Sequence, residues 1–223
     1  GLNFAPGDEW SYSNSGYVLL TEVVERTSGT SFAEFATAHL FEPLGMSSTR
    51  YIDDLRSVIE NRALAYERFD DQWRQNMLLD RDRGGGGALF STAGDLIIWN
   101  EALAAGRLGP FVTEMLHEPA RLNNGRVLDY ARGLFVDSNR DGHVVWHTGS
   151  AAGYKALLAR YPEQELSIAL LCNGGESAER MTTAQRIYDR FIPAADAPEA
   201  AAEAARAQRD RAGADRVDVR ARG

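Results

Sequence analysis

The chain has 223 residues, 44% of them hydrophobic, and a formal net charge of −8, which suits one domain with a sizeable core. The acidic balance argues against a nucleic-acid surface, which needs a basic face. No apolar run approaches the roughly 18 residues that a helical membrane span requires.

In chain order, Pro6-Gly7-Asp8 reads as a turn. After Ser11-Tyr12-Ser13-Asn14-Ser15-Gly16, a helical pattern starts at Tyr17, with Val18, Leu19, Val23 and Val24 on one stripe and Gly29 as its stop. Ser31-Phe32-Ala33-Glu34 has the form of a capping box, opening a helix to about Phe41 that Pro43 closes. A short strand pair is expected around Ala63–Tyr66 and Trp73–Met77. Gly84 to Gly87 lack the Lys-Ser/Thr of a phosphate-binding loop and read as a flexible connection. Thr92 is a good N-cap for a helix to about Ala105, with Asp95 at its third position. Pro110 starts a helix that ends before Pro119, and Tyr130 to Val136 reads as a strand.

Asp137 to Gly142 reads as the turn into the stretch that organises the rest, Gly142 to Tyr154. There a strand ending in Val144-Val145-Trp146 is expected to stop at His147-Thr148-Gly149, where small residues expose the backbone to an approaching molecule. Histidine is the side chain that changes charge near neutral pH, so His147 marks this as an active-site wall. Strands at Lys155–Tyr161 and Leu166–Cys172 follow at hairpin distance. Cys172, the only cysteine, permits no internal disulfide and is expected as a buried small hydrophobe. Met181 to Ile192 forms an amphipathic helix with Ile187, Tyr188 and Phe191 inward. The expected organisation is a domain over 1–193 and a tail or linker over 194–223, whose six acids and six arginines cancel.

Asp137-x-Asn139-x-Asp141-Gly142 matches the first half of a calcium loop, but its twelfth position is Thr148, where a bidentate Glu should sit. His143 and His147 lie about 13 Å apart on a strand, too far to share an ion. Tyr12 and Asn14 have two readings. They can cap the following helix, or they can face one cleft from alternate positions of an extended segment, the phenol carrying a proton and the amide holding a carbonyl.

Four motifs in order point to a family: Trp10-Ser11-Tyr12-Ser13-Asn14-Ser15-Gly16-Tyr17, Pro43-Leu44-Gly45-Met46, Gly87-Ala88-Leu89-Phe90-Ser91-Thr92-Ala93-Gly94-Asp95-Leu96 and His147-Thr148-Gly149. Together they resemble the serine β-lactamase/penicillin-binding-protein superfamily, in the branch with class C β-lactamases, D,D-peptidases, D-aminopeptidases and esterases. The resemblance runs from about Asn3 to Ile192. It implies an α/β fold, an antiparallel sheet flanked by helices, and acyl-enzyme hydrolysis of a small-molecule or peptide substrate, with no metal or organic cofactor. By it, Tyr12 is the general base and acid of Tyr-x-Asn, and Asn14 holds substrate. His147, Thr148 and Gly149 line the substrate strand in place of the commoner Lys-Thr-Gly, and the Ser150 backbone N–H is one of two oxyanion donors.

The departure is the nucleophile. The family serine lies in Ser-x-x-Lys, and the only lysine here, Lys155, has Ala152 three residues before it. Family order places that motif upstream of Tyr-x-Asn. The expectation is therefore an N-terminally truncated, inactive piece of a serine hydrolase, with a non-catalytic binding module using the same cleft as the alternative.

Overall fold

In the computed structural model, residues 1–54, 57–76, 89–139, 141–174 and 177–192 are described; the four-glycine connection and the tail over 194–223 fall outside them. The chain divides into two compact units, Gly1–Thr182 and Thr183–Gly223.

The first unit opens with α1 (Asn14–Ser28). Its N-cap is Ser13, whose Oγ accepts from the Gly16 N–H at 3.3 Å, so the helix begins three residues before Tyr17 and neither Tyr12 nor Asn14 caps it. Gly29 closes it in the left-handed region, φ 76°. The expected inward stripe is not realised: no α1 residue is buried, and Leu19, Leu20 and Val23 are each more than half exposed.

The Ser31 capping box is present and starts α2 (Phe32–Ala36). A π-helical turn over Thr37–Phe41 and α3 (Glu42–Leu44) follow. Pro43 does not end this run, because proline is tolerated in the first turn of a helical segment; Gly45 ends it, at φ 80°. Ala36, Phe41, Leu44 and Met46 bury their side chains with Tyr51 and Ala102 in one apolar cluster.

The strands β1 (Arg50–Tyr51) and β4 (Leu89–Phe90) pair antiparallel. So do β2 (Tyr66–Phe69) and β3 (Gln72–Gln75), shifted from the expected pair because Asp70 and Asp71 adopt the positive φ of the turn between them. Then come α4 (Ala93–Ala104), capped by Thr92 as expected, and α5 (Pro110–His117).

The main sheet is an antiparallel meander in the order β5 (Phe135–Asn139), β6 (Gly142–Ala151), β7 (Tyr154–Tyr161) and β8 (Leu166–Cys172). The strand expected from Tyr130 starts only at Phe135, since Gly133 turns the chain at φ 86° and Tyr130 makes a single bridge to Phe135. The expected turn over Asp137–Gly142 contracts because Asp137 to Asn139 stay in the ladder.

β6 does not stop at His147, as expected from its small residues, but continues through His147-Thr148-Gly149 to Ala151, every residue from Val145 onward paired with β7. Small side chains do not break a ladder when a neighbouring strand accepts their backbone groups. Leu157, Ala159, Tyr161 and Ile168 anchor the sheet in the core. Cys172, at the end of β8, is exposed. The chain then enters α6 (Ser177–Phe191), which starts earlier than expected. In the second unit Tyr188 is buried, whereas Phe191 is 67% exposed instead of facing inward.

One carboxylate ties these parts together. Asp95 is buried at the start of α4, and its Oδ2 accepts from the Ser48 N–H and the Thr49 hydroxyl, both at 2.8 Å. It thereby holds the chain leaving the α2–α3 run against α4. Asp95→Ala leaves the Ser48 N–H without its acceptor, while the Thr49 hydroxyl keeps Ser91 Oγ at 2.8 Å, and is expected to cost about 1–3 kcal/mol, read as a lower urea midpoint at unchanged slope. Asp95→Asn, which keeps one acceptor oxygen, should cost clearly less.

Candidate active site

The extended segment before α1 brings Tyr12 to His147: their ring centroids are 5.9 Å apart. Beside both stands Tyr130, which no sequence motif singles out. The Tyr130 hydroxyl lies 3.2 Å from His147 Nε2, and its ring meets that of Tyr12 edge-on at 6.4 Å. His147 Nδ1 is 2.6 Å from the Thr148 carbonyl oxygen. A carbonyl only accepts, so Nδ1 carries a hydrogen, and in the neutral ring Nε2 accepts from Tyr130. The tautomer is assigned from these partners.

Tyr130 is suited to that donor role. Burial, then the nearby phenols of Tyr17 and Tyr12, push its pKa up to about 12, so it stays protonated. Trp10 and Phe135 pack on it at 5.1 and 4.7 Å, and Phe135 stacks on Trp146 at 4.6 Å. The imidazole thus sits in an aromatic wall assembled from three separate stretches of chain. Nothing in local spacing links Tyr130 to His147, because the segment between them is irregular before it becomes β5.

The backbone of β6 supplies the second feature. Ala152 and Gly153 both have positive φ, 45° and 83°, the mark of a type I′ two-residue turn. Such a turn makes Ala151 and Tyr154 a hydrogen-bonded pair, and antiparallel pairs alternate from there. Gly149 and Ala156 therefore exchange ladder bonds, whereas the N–H and C=O of Thr148 and Ser150 point away from β7. On that outer side β5 pairs only with Gly142 to Trp146. Among the described residues, no strand pairs the edge from His147 to Ala151. An extended substrate backbone can add to such an edge.

Gly149, Ser150 and Ala151 also border a cavity of about 570 Å³, with Arg62, Phe90, Ser91 and Tyr154 among the opposing residues. Tyr12 and His147 lie outside its lining. Lys155 donates to Ser150 Oγ at 2.6 Å across the hairpin. Asn14, the first residue of α1, is exposed. The structure thus brings Tyr12 to His147 directly, and Thr148 to Ser150 through the common strand.

Among the described residues, no group of three or more His, Cys, Asp or Glu is placed to hold a metal ion. The half calcium loop is used as a turn, Asn139 Oδ1 accepting from the Asp141 N–H at 2.8 Å. His143 engages Glu163 at 2.6 Å, and that hydrogen bond holds the Glu163 carboxyl below its usual range.

The family profile described as Beta-lactamase matches residues 1–190. The chain belongs to the beta-lactamase family. Its membership bears out the resemblance carried by the motifs from Trp10 to Gly149. Penicillin-binding protein 4* of Bacillus subtilis (strain 168) is 31% identical over 199 residues, covering 79% of this chain and 42% of that protein. A D-aminopeptidase of Gluconobacter oxydans (strain 621H) is 24% identical over 179 residues, covering 80% and 34%. The beta-lactamase-family chain thus spans less than half the length of these curated relatives. Among solved structures, a penicillin-binding protein from Bacillus halodurans superposes with a TM-score of 0.73 at 24% identity, covering 84% of this chain and 59% of that one. At that identity the likeness speaks for the fold, the mixed helical and antiparallel architecture expected.

The raised pKa of Tyr130 makes stability depend on pH in the alkaline range. The unfolded chain loses this proton near pH 10 and the folded chain near 12, so the unfolded state binds fewer protons in between and stability falls as pH rises through that window. Tyr130→Phe should flatten the fall, read from urea midpoints measured across it. Part of the slope should remain, because burial also raises the pKa of Tyr17.

Proposed function

We propose that this chain carries the proton-transfer and substrate-strand part of a serine hydrolase that acts through an acyl-enzyme on an ester, a D-amino-acid peptide or a β-lactam. The observation carrying this reading is the approach of Tyr12 to His147, 5.9 Å between rings, beside a β6 edge without a strand partner among the described residues. Tyr12 is the general base and acid, and Asn14 holds the substrate amide. His147, Thr148 and Gly149 form the strand along which substrate lies. The outward Ser150 N–H donates to the developing oxyanion, the kind of donor whose loss lowers kcat about 10²–10³-fold. The names of the relatives, a penicillin-binding protein and a D-aminopeptidase, support that range of substrates.

The imidazole argues for a preference within it. A lysine ammonium is a fixed positive charge that anchors a β-lactam carboxylate. The His147 ring, with both nitrogens already engaged by Tyr130 and the Thr148 carbonyl, offers a weaker anchor. The enzyme therefore favours esters and D-amino-acid peptides over β-lactams.

The attacking serine is not supplied by these 223 residues, which contain no Ser-x-x-Lys. That same absence favours a second reading, a non-catalytic module that binds acyl compounds in the same place. The experiment compares residues 1–223 with the gene product that includes the upstream coding region, on a p-nitrophenyl ester and on nitrocefin. The longer protein should turn over the ester with the higher kcat/KM, and Tyr12→Phe in it should lower kcat about 10²–10⁴-fold. Residues 1–223 alone should be inactive. Labelling of a serine within them by a fluorophosphonate, with ester turnover near that of the longer protein, would overturn the assignment of the nucleophile. A longer protein without turnover would favour the binding module.

A further inference from the structure

Arg180 is the other residue that sequence reading passed over. It lies in the first turn of α6 with only 6% of its surface exposed, an expensive place for a charge unless its donors are used. Its Nη1 donates to two backbone oxygens, that of Gly149 and, at 2.9 Å, that of Ala156. These two residues face each other in the β6–β7 ladder. By the alternation set at the Ala152-Gly153 turn, they already exchange ladder bonds with each other, so each carbonyl accepts a second hydrogen bond from the guanidinium.

The Gly149 carbonyl belongs to the same peptide unit as the Ser150 N–H. A peptide group is planar and conjugated, so what binds its oxygen both orients and polarises its N–H. A cation that engages the oxygen on the β7 side draws electron density from the nitrogen and strengthens the donor on the open side of β6. It also pins the plane, so that donor does not reorient when charge develops against it, which is the preorganisation an oxyanion site needs.

We propose that Arg180 is a positioning residue for the oxyanion donor: acting through the Gly149–Ser150 peptide, it fixes and polarises the Ser150 N–H without touching substrate. This rests on the oxyanion role given to Ser150 in the proposed function, and extends it to a side chain on another element. Arg180 was not legible in the sequence because nothing in its own helix announces a partner 31 residues upstream.

The test has two arms. In the first, the 223-residue chain is isotope-labelled, and the Gly149 carbonyl carbon and the Ser150 amide are followed by NMR. In Arg180→Met both signals should move upfield. In Arg180→Lys, which keeps the charge and one donor direction, they should move by less. Val145 and Arg160, paired in the same hairpin, should stay in place. Gly149 and Ser150 shifts no larger than those of Val145 and Arg160 would overturn the proposal. If Arg180→Met does not fold, Arg180→Lys carries the same readout.

In the second arm the same substitutions are placed in the longer gene product. Arg180→Met should lower kcat at least about tenfold while KM stays within about twofold, the pattern of an interaction realised in the transition state. Arg180→Lys should recover part of the loss. A raised KM at unchanged kcat, or a loss explained by a smaller folded fraction, would reduce Arg180 to a structural role. Absence of turnover with Arg180 in place would count against the hydrolase reading, and the amide shifts would still decide this one.

Discussion

The two-residue turn at Ala152-Gly153 is the constraint on which the site depends. Its geometry decides which carbonyls and amides of β6 face β7 and which face outward, and a shift of one residue would exchange them all. With Gly149 bonded inward, Ser150 and Thr148 present their N–H groups to the open edge. β5 keeps that edge open by ending its pairing at Trp146. Ala152 holds a positive φ of 45° without being glycine, so the register is kept against a local conformational cost that the flanking ladder must offset.

The imidazole is engaged on both nitrogens, by a carbonyl on one side and by a phenol that stays protonated on the other. Two cations touch the strand itself: Lys155 at the Ser150 hydroxyl, and the buried Arg180 guanidinium at the Gly149 carbonyl. Both engage groups of the strand itself. The half calcium loop and the His143–Glu163 pair belong to the opposite end of the hairpin and serve its turn geometry.

Helix boundaries set by caps were the most legible features. Ser31, Thr92 and Gly29 do what their types predict, because a cap is a local hydrogen bond or a local φ preference. Features that depend on which neighbour arrives were misread. The small residues after His147 were expected to end β6, yet pairing with β7 carries the strand on to Ala151. Cys172 was expected to be buried, but it ends a strand whose further neighbour does not appear among the described residues. The apolar stripe of α1 was expected to face inward and is exposed.

The sequence by itself determined the family, the order of the helices and of the strands in the main sheet, and the presence of Tyr12, Asn14 and His147 through Ser150 in motifs of recognisable spacing. These are properties of contiguous residues, fixed by side-chain type and backbone preference over a few positions. Only the tertiary structure decided that the Tyr130 hydroxyl meets His147 and that Arg180 engages Gly149. Each joins groups 17 or 31 residues apart. Such pairings are set by the register of the sheet and the approach of another element, and no local pattern encodes them.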